Sequence, residues 1–221
     1  MWKRIFNPVD GSLDQARWSM RGRSVLATAI STIALLFSAY SLYESSLRSA
    51  ELAVYIPPRI DYTDPDSPES PFEVFVVPMT IANDGARSGT VLAINLEVTN
   101  PRTKQTKQFY AARFGTWREQ PARPFAPVPL AGKTSASQTL QFFPRVGETI
   151  PRILDLEAGD YRFKLLLDTA AAGRRDWRSA GNVVSLEFEM QIGKLDYRHF
   201  NGNGVMEMWA TDYRPAATTA Q

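Results

Sequence analysis

The pattern of apolar and polar residues changes character once along the chain, shortly after residue 43. Between Arg23 and Glu44 no residue is charged, and most are apolar. A helix over these residues would be roughly 30 Å long at about 1.5 Å per residue, which matches the hydrocarbon core of a bilayer. The pattern therefore predicts a single transmembrane helix over residues 24–43.

Beyond this helix, apolar residues recur at every second position, which is the period of half-buried strands. The predicted strands are residues 52–56, 72–81, 90–99, 107–114, 138–143, 161–168 and 184–192. Pro78 interrupts the second of these strands and indicates an edge position or a bulge there. About seven short strands separated by turns predict an all-β domain, built as an antiparallel β-sandwich.

A local motif points to one kind of sandwich. Residues 156–161 read Leu-Glu-Ala-Gly-Asp-Tyr, and this segment resembles the tyrosine corner of immunoglobulin and fibronectin type III domains. In those domains a tyrosine at the start of the sixth strand bonds back across the preceding turn, and the resemblance implies that role for Tyr161. It covers roughly residues 51–193 and implies an immunoglobulin-like fold without a particular activity.

The charges that flank the apolar run predict its orientation. Arg17, Arg21 and Arg23 precede the run, whereas Glu44 follows it. Because positive residues remain in the cytoplasm, the N-terminal segment is predicted to be cytoplasmic and the β-domain extracytoplasmic. A cleaved signal peptide is the alternative, but the long leading segment and the long apolar run favour an uncleaved anchor.

The amino-acid composition indicates the cellular compartment of the protein. The chain has no cysteine and no Asn-x-Ser/Thr sequence, which favours a bacterial inner-membrane (plasma-membrane) protein with a periplasmic domain. The net charge of +2 provides no broad positive field to attract nucleic acid. The predicted division is a cytoplasmic segment (1–23), a transmembrane helix (24–43), an immunoglobulin-like sandwich (44–193), and a C-terminal hairpin with a disordered tail (194–221).

Few residues carry catalytic or metal-binding chemistry. His199 is the only histidine, and its surroundings are typical of an exposed hairpin, so neither a histidine triad nor a multi-histidine metal site is predicted. An acidic, proline-rich loop is predicted to be a solvated turn, because its spacing does not match a calcium loop. Its acidic residues are Asp61, Asp64, Asp66 and Glu69. No catalytic residue, cofactor, metal or small-molecule substrate is predicted.

The longest irregular stretch, residues 114–133, combines aromatic, arginine and proline residues. Its candidates for partner binding are Trp117, Arg118, Arg123 and Phe125. Aromatic and arginine residues are frequent in interface hot spots. Two interpretations remain open: a binding loop, or a flap that covers an open edge of the sandwich.

The C-terminal segment suggests a second partner-binding surface. Residues 197–209 are predicted to form a hairpin around an Asn-Gly turn. An isolated hairpin is marginal in water, so it is predicted to pack on the sandwich, on a partner or on the membrane surface. Its apolar residues Met206, Met208 and Trp209 are the predicted partner-binding residues. The residues after Tyr213 are predicted to be disordered.

Together these features predict a membrane-anchored, non-catalytic interaction or scaffold module. It would contact protein partners in or on the membrane, and the lipid bilayer through residues 24–43. The alternative is an accessory single-pass subunit that stabilises a larger integral-membrane complex. An enzyme is disfavoured because titratable groups gather at no motif.

Overall fold

The computed structural model describes residues 11–63, 73–116, 123–145, 159–171, 183–192 and 205–212, with the backbone alone for residues 11–24. The chain forms two compact units, Met1–Arg48 and Ser49–Gln221. In the described residues, the first unit is helical and the second is built from β-strands.

The helical unit contains the predicted apolar run. Helix α1 spans Gly11–Leu42 and continues as one π-helical turn, Tyr43–Leu47. Its apolar part, Val25–Leu47, has 23 residues and a mean hydropathy of 1.8, and the apolar window within it contains no buried residue. The hydroxyls of Thr32 and Ser38 donate to carbonyls one turn earlier in the helix, so they are satisfied without water. A membrane anchor and a signal sequence both have this length and composition.

The second unit is a single sheet of 11 strands. Their bounds are β1 (Leu52–Tyr55), β2 (Arg59–Thr63), β3 (Val74–Asn83), β4 (Gly89–Thr99), β5 (Thr106–Phe114), β6 (Arg123–Pro124), β7 (Val128–Leu130), β8 (Thr134–Pro144), β9 (Gly159–Ala171), β10 (Val183–Ile192) and β11 (Val205–Ala210). The sheet closes on itself in the order β5-β8-β3-β2-β11-β10-β9-β4, because β4 pairs with β5 as well as with β9. The result is a closed antiparallel barrel of eight strands with β1, β6 and β7 as additions.

The predicted sandwich is therefore wrong, although the all-β class is confirmed. A sandwich has two separate sheets, whereas here every barrel strand is paired on both sides. The seven predicted strands coincide with β1, β3, β4, β5, β8, β9 and β10. Closure depends on β2 and β11, which bridge β3 and β10. Both folds share the same inward–outward alternation, so alternation alone did not distinguish them.

The resemblance to immunoglobulin and fibronectin type III domains is overturned by the same pairing. Tyr161 lies near the start of β9, opposite Met190 of β10. Its side chain is 2% exposed and belongs to the barrel core. Tyr161 is thus a wall residue that faces inward, and residues 151–158, which precede β9, lie outside the described part of the chain.

Pro78 marks a break in the barrel wall, as its lack of an N–H predicts. On one side of β3, Tyr55 of β1 opposes Thr80, and Asp61 of β2 opposes Val76. Between these pairs the neighbouring chain turns through Pro57 and Pro58. The hydrogen-bond ladder on this side of β3 is already interrupted at the break. Pro78, which has no N–H to donate, therefore removes no hydrogen bond from a regular part of the ladder.

Strands β6 and β7 occupy the wedge where β4 and β5 separate. β4 pairs with β5 through residues 95–99, and with β7 through residues 89–91. β6 pairs with the end of β5, opposite Arg113 and Phe114. Short parts of the predicted irregular stretch 114–133 are thereby incorporated into the sheet.

Asn83 holds this end of the barrel together, and its side chain is 1% exposed. Its Oδ1 accepts hydrogen bonds from the backbone N–H groups of Gly85 and Glu51, both at 3.1 Å. Its Nδ2 donates to the carbonyls of Arg87 at 2.8 Å and Ala131 at 3.0 Å. One amide therefore joins the residue before β1, the β3–β4 turn and the residue after β7.

Candidate functional site

The barrel interior is filled with side chains from all eight barrel strands. Five of the largest are the aromatic rings of Tyr62, Phe75, Phe109, Phe142 and Phe163. Phe75 packs edge-on against Phe109 and Phe163, with centroid distances of 4.9 and 5.5 Å. Small barrels of this size either fill their interior or hold one small ligand, and the described part of this barrel is filled.

One charged cluster lies within that interior. Lys107 Nζ is 2.8 Å from Glu73 Oε2, and the two side chains are 2% and 0% exposed. The Tyr62 hydroxyl donates to Glu73 Oε1 at 3.4 Å, and Lys107 Nζ lies 5.7 Å from the centroid of the Phe109 ring. The ammonium and the carboxylate thus neutralise each other among aromatic side chains. Their burial favours a structural role, because a substrate would have to displace the covering side chains.

The structure separates the predicted loop residues into two groups. Trp117 and Arg118 lie outside the described residues, whereas Arg123 and Phe125 are placed. Phe125 stacks on Phe114 at 5.4 Å with an interplanar angle of 21°. The Arg123 guanidinium lies 5.8 Å from the centroid of the same Phe114 ring. We refer to Arg123, Phe114 and Phe125 as the rim stack, because Phe114 and Phe125 pack against the edge of the core while Arg123 is exposed.

The predicted hairpin residues are placed in the barrel wall. Met206 and Met208 are both 0% exposed and belong to the core, so their side chains are enclosed. Trp209 is half-buried, and the Arg59 guanidinium lies 6.0 Å from its ring. β11 pairs with β2 and β10, while the predicted first arm of the hairpin, and His199 with it, lies outside the described residues.

The acidic loop is mostly beyond the described part of the chain. Asp64, Asp66 and Glu69 fall in the undescribed segment, and Asp61 lies in β2. The Asp61 carboxylate accepts a hydrogen bond from Arg59 Nε at 3.1 Å. Within the described ranges, no three His, Cys, Asp or Glu side chains are close enough to hold a metal ion.

Sequence reasoning missed a second aromatic and arginine surface, on the outside of β5 and β8. We call it the Arg–aromatic face and define it as Tyr110, Arg113, Phe143 and Arg145. Tyr110 directly opposes Phe143, and the Arg113 guanidinium lies 5.3 Å from the centroid of the Phe143 ring. Arg145 Nη2 donates to Asn95 Oδ1 at 3.3 Å. Tyr110 is 40% exposed, and both arginines are exposed.

A β-bulge creates this face. The register between β5 and β8 shifts by one residue between Ala111 and Arg113. Without the shift, Tyr110 and Arg113 would point to opposite sides of the sheet, since they are three positions apart. The extra residue re-aims Arg113 to the side occupied by Tyr110 and Phe143. The alternation of the sequence alone does not reveal this.

A shallow groove lies on another part of the outer wall. It has a volume of about 440 Å³ and follows the break beside Pro78. Its lining includes Tyr55 and Pro57 on one side, with Thr80 and Ser137 on the other. Tyr55 is 58% exposed, so the groove presents one large aromatic ring beside small polar side chains.

Comparison with known proteins identifies no family. No protein-family model and no curated protein sequence matches the chain. A solved Bordetella pertussis protein described as ApaA aligns with a TM-score of 0.35 and 15% identity, over 64% of this chain and 94% of its own. A protein from Archaeoglobus fulgidus aligns with a TM-score of 0.33 and 9% identity, over 66% of this chain and 98% of its own. Similarity at this level supports no conclusion about activity, and the fold assignment rests on the strand pairing.

Proposed function

We propose that this protein is a membrane-anchored, non-catalytic interaction module that binds protein partners through the outer wall of its β-barrel. The observation that carries the proposal is the packing of the barrel. Apolar side chains from every barrel strand fill its interior, whereas stacked arginine and aromatic side chains lie at its rim and on its outside. A few residues carry most of the binding energy at protein interfaces, and tryptophan, tyrosine and arginine are enriched among them.

The apolar helix supports the anchoring part of the proposal. Large apolar side chains of Val25–Leu47 are exposed, from 47% for Leu47 to 70% for Phe37. A helix that is apolar on all sides and unburied suits a lipid environment. Together with Arg17, Arg21 and Arg23 on its N-terminal side, it supports a cytoplasmic N-terminus and an extracytoplasmic barrel in a bacterial inner membrane.

Orientation has a direct test in the full chain. A reporter enzyme that is active only outside the cytoplasm, fused after Gln221, should be active. A second reporter, active only inside the cytoplasm and fused at the same position, is the matched control and should be inactive. The reverse pair of results from well-expressed fusions would overturn the proposed orientation.

A second candidate function is an accessory subunit of a larger membrane complex, bound through the helix. The observation that favours it is the spacing of small residues along α1: Ala27 and Ser31, then Ala34 and Ser38, each four residues apart. Small residues at this spacing allow transmembrane helices to approach closely.

The two candidate functions predict that different variants lose the co-purifying partner chain. The full-length protein is purified in mild detergent beside two variants: one with the rim substitution Arg123→Glu, and one with residues 25–42 replaced by leucines. An interaction module should lose its co-purifying chain with Arg123→Glu and keep it with the leucine helix. An accessory subunit should show the opposite pattern. A protein that purifies without any other membrane chain would contradict both candidates.

A further inference from the structure

Basic side chains on the two sides of the barrel have different surroundings. Among the described residues of β2, β9, β10 and β11, each basic side chain is joined to a carboxylate. The ion pairs are Arg59–Glu207 at 2.9 Å, Arg162–Glu189 at 3.3 Å and Lys164–Glu187 at 3.0 Å. On the Arg–aromatic face, neither Arg113 nor Arg145 has a carboxylate within 4.0 Å among the described residues. Arg113 rests on Phe143, and Arg145 donates to the neutral side chain of Asn95.

These two arginines keep most of their donors available. A guanidinium has five N–H donors, and an exposed guanidinium stacked on a ring still presents its edge outward. Stacking also restricts the side chain before a ligand arrives, which lowers the entropy lost on binding. Arg113 is thus prepared to accept a carboxylate in the plane of its guanidinium.

The spacing of the face suits an extended chain better than a compact anion. Phe143 lies in β8 and Arg145 directly follows its last residue, Pro144; two residues apart in extended chain, they are about 7 Å apart and on the same side. Arg113 lies on the other side of Phe143, opposite Gln141. The Arg113 guanidinium lies over Phe143, whereas Arg145 reaches Asn95, which opposes Tyr110 on the side away from Phe143. The two positive charges are therefore separated along the Tyr110–Phe143 pair and do not converge on one point. An extended peptide repeats its side chains at the same spacing of about 7 Å for every second residue.

We propose that the Arg–aromatic face binds an acidic, extended segment of a partner protein, with carboxylates on Arg113 and Arg145 and the chain lying across Phe143 and Tyr110. This inference rests on the proposed function as an interaction module and names the surface and the chemistry of its partner. Among the described residues, Glu97 of β4 lies beside the face, where it accepts a hydrogen bond from Gln108 at 3.2 Å. Glu97 limits the binding surface on the β4 side.

The test uses full-length protein in nanodiscs of phosphatidylcholine. The probe is a fluorescein-labelled decapeptide of alternating Glu and Thr, and the matched neutral peptide alternates Gln and Thr. Binding is measured by fluorescence anisotropy at low salt. The acidic peptide should bind at least tenfold more tightly than the neutral one, because the charged contacts are the main source of selectivity.

The double substitution Arg113→Gln with Arg145→Gln should weaken binding of the acidic peptide by tenfold or more. The matched control is Arg59→Gln with Arg162→Gln, which removes the same charge from two arginines that are each paired with a carboxylate, on β2 and β9, and should change the affinity by less than twofold. Equal losses in both variants would overturn the inference, since they would indicate a general charge effect. Equal affinity for the two peptides would overturn it as well.

Two further outcomes separate this inference from others. If the acidic peptide fails to bind but the protein clusters with vesicles containing phosphatidylglycerol, the face binds anionic lipid and the inference falls. If the Arg113 and Arg145 variant still co-purifies with a partner that Arg123→Glu loses, the interaction module stands and only this surface assignment fails.

Discussion

Lys107 and Glu73 form an ion pair within the barrel, with Nζ and Oε2 2.8 Å apart and both side chains almost wholly buried. Removing two charges from water is costly. The cost is offset only when the two groups are close and their remaining hydrogen-bond donors and acceptors have partners. The Tyr62 hydroxyl donates to the second carboxylate oxygen, and the Phe109 ring lies near the ammonium. The pair joins β5 to the residue that precedes β3. β5 and β3 are not neighbours in the barrel, because β8 lies between them.

Breaking this pair should destabilise the barrel strongly. Lys107→Met removes the ammonium and leaves the Glu73 carboxylate buried, which should lower the free energy of unfolding by about 3–5 kcal/mol. Lys107→Met combined with Glu73→Leu removes both charges and should restore most of that loss. Chemical denaturation followed by near-UV circular dichroism measures both. A single variant as stable as the parent would show that water reaches the pair.

Asn83 should be a second strong determinant of stability, because its amide satisfies backbone groups from three segments. Asn83→Ala leaves these groups without their partner, and each buried group left unsatisfied costs about 1–3 kcal/mol. Asn83→Asp is the matched variant: it keeps the acceptor for Gly85 and Glu51 and loses the donor to Arg87 and Ala131. We expect both variants to melt at lower temperature than the parent. Unchanged melting of Asn83→Ala would contradict the role assigned to this side chain.

The sequence predicted the strands better than their arrangement. Alternation placed Phe163 and Leu165 of β9 on the inner side, and both are 0% exposed. β2 was missed because residues 59–63 run into an acidic, proline-rich segment that favours a loop. β11 was identified as a strand but was assigned to an isolated hairpin. Since barrel closure runs through those two strands, missing their pairing turned a barrel into a sandwich.

The candidate surfaces were predictable only in part. Arg123 and Phe125 were singled out by residue type, and the structure brings them together on the ring of Phe114. Met206 and Met208 were singled out in the same way, but they face the core because β11 is a wall strand. The sequence could not assign Arg113 to the outer face. The direction of its side chain depends on a bulge, after which the inward and outward positions of β5 are exchanged.

Two glycines offer a matched comparison of steric fit. A Cβ on Gly132 would lie 1.9 Å from the carbonyl oxygen of Ala86, so Gly132→Ala forces backbone to move and should cost about 1–3 kcal/mol or more. A Cβ on Gly159 would have Pro101 Cγ at 3.9 Å as its nearest neighbour. Gly159→Ala should leave stability unchanged or raise it by up to about 1 kcal/mol. Thermal melts that rank the two variants in the opposite order would refute the packing of the β3–β4 turn against residue 132.

The rim stack distinguishes the two interpretations that the sequence left open, a binding loop and a structural flap. Phe125 packs against the core edge and on Phe114, so Phe125→Ala should lower stability by roughly 1–3 kcal/mol through lost burial and stacking. Arg123 is exposed, and its contact with the ring is worth about 0.5–1 kcal/mol, so Arg123→Ala should leave the melting temperature nearly unchanged.

Partner binding provides the second half of the same test. If the segment is both flap and binding site, Arg123→Ala should weaken co-purification of the partner while the barrel remains folded. Arg123→Lys is the control: it keeps the charge but loses the planar guanidinium that lies over Phe114, and should weaken binding less than alanine does. If Arg123→Ala binds as the parent does while Phe125→Ala is destabilised, residues 123–125 serve only to cover the wedge between β4 and β5.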